Sequence, residues 1–141
     1  MSLLTAIAVS ATGLSAQRQR LEVLVSNLAN ANTTRPDGVE PYRRKDVVFS
    51  SVSPNRPFGA EFEDAVKGVE ISGIVTDRSE LRREYEPGHV HADAEGYVYY
   101  PNVNPMEELV NVMLATRSYE ANLQAVSSAK EMAMKTLELL R

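Results

Sequence analysis

"NPMEELVNVMLATRSYEANLQAVSSAKEMAMKTLELL", residues 104–140, is the stretch that decides the fold. Leu109, Val112, Thr116, Tyr119, Leu123, Val126, Lys130, Ala133, Leu137 and Leu140 step by three and four without a break, and eight of these ten are apolar or aromatic. That is the period of a helix lying along another helix. Its start is signed by Asn104 as N-cap, Pro105 at the first helical position and Glu107 three residues after the cap. Glu107 and Glu108 suit the positive end of the helix dipole. A second line, Leu114, Ser118, Ala121, Ala125, Ala129 and Met132, runs along another face. Between the two, "ANLQAVSSA", residues 121–129, carries no charge anywhere around the helix. A helix without charge on any side is buried on all sides. One partner helix covers one stripe, so the remainder must meet helices that this chain does not contain. Packing against copies of itself or similar subunits is the expectation.

The partner within the chain lies at the other end. Ile7, Leu14, Leu21 and Leu28 recur every seven residues, with Leu3, Leu24 and Ala31 on the same seam and Ser10 and Gln17 weakening it. A helix from about Leu3 to Asn32 would be about 45 Å long. It ends in "SNLANANTTRP", residues 26–36, without a glycine. Asn32, Thr33, Thr34 and Pro36 serve as a stop signal through Asx-type turns and the restriction that proline places on Arg35. Asn27 and Asn30, one turn earlier, are more than a stop requires and are read as polar contacts to a neighbouring subunit.

Residues 36–103 read as short strands and turns. Tyr42–Phe49, the alternating "GVEISGIVT" from residue 68, Leu81–Tyr85 and Tyr97–Tyr100 are strand candidates, with Gly73 as a bulge or close approach. Pro87-Gly88 fits the centre of a type II turn. "SPNRPFGAEFEDA", from Ser53, reads as a mobile loop.

Bulk properties exclude several classes. A net charge of −4 favours neither a nucleic-acid nor an anionic-membrane partner. The absence of cysteine removes disulfides, thiolate zinc sites and a cysteine nucleophile. Met1–Gln17 has no charged side chain, but it lacks a basic start and is broken by Ser2, Thr5, Ser10, Thr12 and Ser15, so neither a cleaved signal nor a membrane span is expected. "HVHAD" places His89, His91 and Asp93 in the spacing of some binuclear metal hydrolases. These are the chain's two histidines, too few for a supported metal site. "YRRK", Tyr42–Lys45, could touch nucleic acid, but Glu40 and Asp46 flank it and an exposed charged strand accounts for it. No phosphate-cradling loop or hydrolase nucleophile motif is present. The expectation is a non-enzyme with no cofactor, no metal, no small-molecule substrate and no nucleic acid.

"SNLANANTT" resembles the N-terminal signature of the bacterial flagellar axial proteins, the rod, hook and hook-associated subunits, and "RSYEANLQAVSSAKEMAMKTLEL" resembles their C-terminal signature. "PYRRK" followed by "PGHVHADAEGYVYYPNVNPMEELVNVM" is similar to the short proximal rod subunits, and the match covers nearly the whole chain. The resemblance implies an α+β fold. In it the N- and C-terminal helices, residues 1–34 and 104–141, pair as an antiparallel coiled coil lining an inner tube, and residues 35–103 form a small outer β region with a mobile loop near 53–66. It implies a structural subunit of the periplasmic rod of the basal body, exported through the flagellar type III apparatus without a cleaved signal. The shaft would transmit torque for motility and enclose the export channel. Partners would be copies of itself, other rod proteins, the inner-membrane ring and export apparatus components. Subunit contacts are expected at Asn27, Asn30, Asn32, Tyr119, Glu120 and Asn122. The coiled-coil core is expected at Ile7, Leu14, Leu21, Leu28, Leu109, Val112, Leu123, Val126, Leu137 and Leu140. The alternatives are a second proximal rod protein of the same family and, from another class, a small metal-dependent hydrolase using His89, His91 and Asp93.

Overall fold

The computed structural model describes residues 3–36, 38–52 and 67–139. The loop expected near 53–66 and the core position Leu140 lie outside them. The architecture is α+β: a long helix at each end of the chain and two antiparallel strand pairs between.

Helix α1 spans Leu3–Asn30 and α2 spans Pro105–Leu139. The stop of α1 is built from the amide and hydroxyl cluster. The Ala31 N–H turns back to the Leu28 carbonyl (3.3 Å), and the Asn30 carbonyl accepts both the Thr33 N–H (3.1 Å) and the Thr33 hydroxyl (2.9 Å). These bonds satisfy carbonyls that a helix end leaves free. No described non-glycine residue has a positive φ, so the helix stops without a left-handed asparagine. At the start of α2 the Asn104 side-chain oxygen accepts the Met106 N–H (3.1 Å), as an N-cap should.

The helices run antiparallel. Asn27 of α1 bonds Glu108 at the start of α2, while Gly13, two coiled-coil repeats earlier, lies against Asn122. The buried seam is made of small residues: Ala16 on α1 and Ala31 just past its end, Ala115 and Ala129 on α2, with Leu24 the large apolar side chain among them. On α2 this seam follows Glu108, Ala115, Asn122 and Ala129 at seven-residue spacing. It lies between the two lines read from the sequence and shares Ala129 with the second. Leu109, Leu114, Leu123 and Leu137 are left exposed, Leu123 at 52% and Leu137 at 67%. Small residues let the helices approach closely but give little apolar burial, at about 0.8 kcal/mol per buried methylene.

Strands β1 (Lys45–Val52) and β2 (Gly68–Thr76) form one antiparallel pair, and β3 (Arg82–Tyr85) and β4 (Tyr97–Tyr100) form the other. The first pair packs on α1. Val48 faces Gly73 and Phe49 faces Ile71, so Ser72 is the extra residue of a bulge, and its hydroxyl bonds the Val48 carbonyl (3.1 Å). Gly73 itself faces open space rather than a close neighbour. The Pro87-Gly88 turn closes with the His89 N–H on the Glu86 carbonyl (3.0 Å). Gly88 lacks the positive φ that a type II turn requires, which corrects that expectation. The left-handed residue of this loop is Gly96 (φ 85), next to β4.

Gly68 is where β2 meets α1. A Cβ there would stand 2.7 Å from the Thr12 hydroxyl oxygen. That hydroxyl cannot swing away freely, because it donates to the Val9 carbonyl (2.7 Å) and accepts the Val69 N–H (3.1 Å). Gly68→Ala is therefore expected to lower stability by about 1–3 kcal/mol through overpacking. Urea denaturation checks it, and adding Thr12→Ser, which removes the adjacent methyl, should return part of the loss.

Candidate functional site

Two features stand out among the described residues: a polar hub where α1, β1 and α2 meet, and apolar stripes of α2 that face outward on either side of the seam.

The hub centres on Asn27, which is 0% exposed. Its amide nitrogen donates to the Lys45 carbonyl (2.7 Å) and to Glu108 Oε2 (3.1 Å). Its oxygen accepts the Tyr42 hydroxyl (2.8 Å) and the Lys45 N–H (3.0 Å). All four hydrogen-bonding capacities of the amide are used. Glu108, 1% exposed, takes Arg44 Nε on its other oxygen at 2.7 Å. That bond, more than any other contact, holds the Arg44 guanidinium above its ordinary pKa; the nearby Asp46 carboxylate adds to it. Arg44 is placed by its main chain. Its N–H donates to Asn102 Oδ1 (2.8 Å) and its carbonyl accepts the Asp77 N–H (2.8 Å). Asn102 in turn donates to the Ser79 hydroxyl (2.7 Å). Charges this deep are tolerated only when paired and hydrogen-bonded, as these are.

Asn27, expected at a subunit contact, spends its amide inside the single chain and is closed to solvent there. Asn30 is half-buried and donates to the Ser26 carbonyl (2.8 Å), a helix-end bond. Asn32 is exposed and accepts Arg82 (3.3 Å). Tyr119 is half-buried and Glu120 is exposed. Asn122 is half-buried against Gly13, with its amide on the Ser118 carbonyl (3.0 Å). The six residues thus form no single site: Asn27 belongs to the hub, Asn30 and Asn32 to the end of α1, and the other three to the middle of α2.

The expected core positions divide likewise. Ile7, Leu14, Leu21, Val112 and Val126 are half-buried, while Leu28, Leu109, Leu123 and Leu137 face outward. Outward with them go Met106, Val110, Met113, Leu114, Met132 and Met134. The pairing of residue 13 with residue 122 carries the last turns of α2, from about residue 133, past the first described residue of α1.

The HxHxD string has local work. His89 Nδ1 accepts the His91 N–H (3.0 Å), and His91 Nδ1 shares a bond with the Thr34 hydroxyl (2.8 Å). Asp93 Oδ1 accepts the N–H groups of Glu95 (2.9 Å) and Tyr97 (2.8 Å), turning the chain into β4. Among the described residues no three His, Asp or Glu side chains gather as a metal site. In "YRRK", Arg43 binds Glu40 (2.6 Å) and the Ser79 carbonyl (2.9 Å), and Lys45 lies over the Tyr42 ring (5.6 Å). No helix among the described residues is long and apolar enough to cross a membrane.

Sequence reasoning missed Tyr42, Lys45 and Glu108 as partners of Asn27, and with them Arg44 and Asn102, which complete the hub. One signal was available: Glu108, Ala115, Asn122 and Ala129 repeat every seven residues as a line of small and polar side chains, the pattern of a close-packed seam.

Residues 7–36 match the family model "Flagella basal body rod protein", and residues 94–139 match "Flagellar basal body rod FlgEFG protein C-terminal". The flagellar basal-body rod protein FlgC of Escherichia coli O6:H1 is 44% identical over 140 residues, covering 99% of this chain and 98% of the relative. FlgC of Bacillus subtilis strain 168 is 44% identical, covering 93% of each chain. FlgC of Borreliella burgdorferi is 40% identical over 152 residues, covering 100% of this chain and 99% of the relative.

Proposed function

The chain belongs to the FlgC family of flagellar basal-body rod proteins and is a structural subunit of that rod, and from this premise we propose that the uncovered face of α2 is its polymerisation surface. The full-length likeness to FlgC favours this family over the other proximal rod protein, FlgB, and over a metal hydrolase. Place and role follow at the coarse level: the flagellar basal body, in assembly with other rod components.

The observation that carries the mechanism is the pair of apolar stripes on either side of the seam, Leu109, Leu123 and Leu137 on one and Leu114 and Met132 on the other, which stand exposed among the described residues. In the rod, helices of neighbouring subunits cover them. Many copies then share one helical core, and the shaft is stiff because each helix is held on every side. Residues 1–34 and 104–141 make the inner part around the export channel, and residues 35–103 the outer part. Asn30, Asn32, Tyr119, Glu120 and Asn122 lie at the junctions, where polar groups set the register between subunits. Copies of this chain, other rod proteins, the inner-membrane ring and the export apparatus are the partners. The subunit reaches the rod through the flagellar type III apparatus. It performs no bond chemistry.

Tyr119→Ala with Glu120→Ala tests the junction. In cells lacking the native gene, the double variant should be made at normal level, keep the stability of the free chain, and yield fewer than about a tenth of the normal number of rods, since a contact repeated along a polymer multiplies its effect. Normal rod numbers and normal swimming would remove these two residues from the junction.

A further inference from the structure

The hub joins parts of the molecule that have no other reason to depend on each other. Glu108 is wedged between the two helices at the first turn of α2. The cation that neutralises it is not on either helix. Arg44 stands just before β1, and its main chain is fastened to the β region by Asp77 and Asn102. Closing the helix pair at this end without β1 in place would bury a carboxylate with no counter-charge, a loss of several kcal/mol. The dependence also runs the other way. Lys45, the first residue of β1, has Thr76 opposite it in β2, yet its N–H (3.0 Å) and its carbonyl (2.7 Å) both bond the side chain of Asn27. The Asn27 amide thus does for this residue what another strand would do, and without α1 both groups would lose their partner.

We propose that Asn27, Arg44 and Glu108 are positioning residues that interlock the helical arm with the β region, so that the two open and close as one unit and meet at one fixed angle. The interlock belongs to the single chain and does not depend on which neighbours the rod supplies. It assigns Arg44 a part in ordering helices that it does not belong to.

Hydrogen exchange on the full chain tests it through two variants. Arg44→Met removes the charge and keeps an apolar stem. The interlock predicts that amides of residues 20–30 in α1 and of residues 108–114 in α2 exchange about tenfold faster or more, together with those of β1, although no helix residue has changed. Arg44→Met with Glu108→Gln removes both charges. The helices should then recover to within about threefold of the original protection, while β1 continues to open faster. If Arg44→Met does not fold, the double variant still decides, because it must be the more stable of the two. The proposal is overturned if Arg44→Met loosens β1 alone. It is equally overturned if the double variant is no more protected than the single one.

Discussion

Asn27→Asp is expected to cost about 3–5 kcal/mol of stability at neutral pH, and acid is expected to relieve the loss. The substitution is nearly isosteric, so packing hardly changes. What changes is the sign of one corner of the amide. The nitrogen that donates to the Lys45 carbonyl (2.7 Å) and to Glu108 Oε2 (3.1 Å) becomes an acceptor facing two acceptors. Two carboxylates then share a site closed to solvent, and both cannot remain ionised there. One proton held between them would restore a donor, so the proton is bound more tightly in the folded variant than in the unfolded chain. The penalty is complete at pH values above the range where the folded pair takes up that proton. It shrinks as pH falls through that range and levels off below the ordinary carboxylate range near about 4. Urea denaturation at pH 7 and pH 5 should therefore show the variant more stable at the lower pH relative to the parent. A penalty equal at both values would contradict the hub as described.

The second large effect separates folding from assembly. Leu114→Glu and Leu123→Glu alter side chains that are 54% and 52% exposed in the free chain. Each should change monomer stability by no more than about 0.5 kcal/mol, as surface substitutions do. In the rod each would place a carboxylate in an apolar helix contact, at a cost of several kcal/mol for every subunit. Rods and swimming should be lost while the soluble chain keeps its fold. Ala129→Glu is the contrasting case. Ala129 is buried in the chain's own seam, so this substitution should separate the helices in the monomer itself. Circular dichroism of the free chain and motility of complemented cells read the two effects independently.

The architecture was largely legible before any coordinates. The Asn104-Pro105 start of α2 appears where capping chemistry put it, β4 coincides with Tyr97–Tyr100, and α1 stops at Asn30 within the amide cluster. The phase of the helix pair was not legible. Periodicity reveals that α2 has apolar stripes, but it does not say which stripe meets α1 and which meets another molecule. The largest residues, Leu109, Leu123 and Leu137, drew the reading toward themselves, while the chain's own seam uses alanine, glycine and paired polar groups. Asn27 escaped for a related reason. Its partners Tyr42, Lys45 and Glu108 are separated from it by 15 to 81 positions, and local pattern carries no information about contacts that distant. The histidine string gave no sign of its use in fastening the loop to Thr34, 57 positions away.

The same absence of cysteine that excluded several chemistries provides the most direct test, because one introduced thiol is then the only one. Leu123→Cys places it in the middle of the uncovered face. A maleimide reagent should label it readily in the free chain and leave it unlabelled in assembled basal bodies, where neighbouring helices cover the position. Equal labelling in the two states would contradict the assignment of this face as the polymerisation surface.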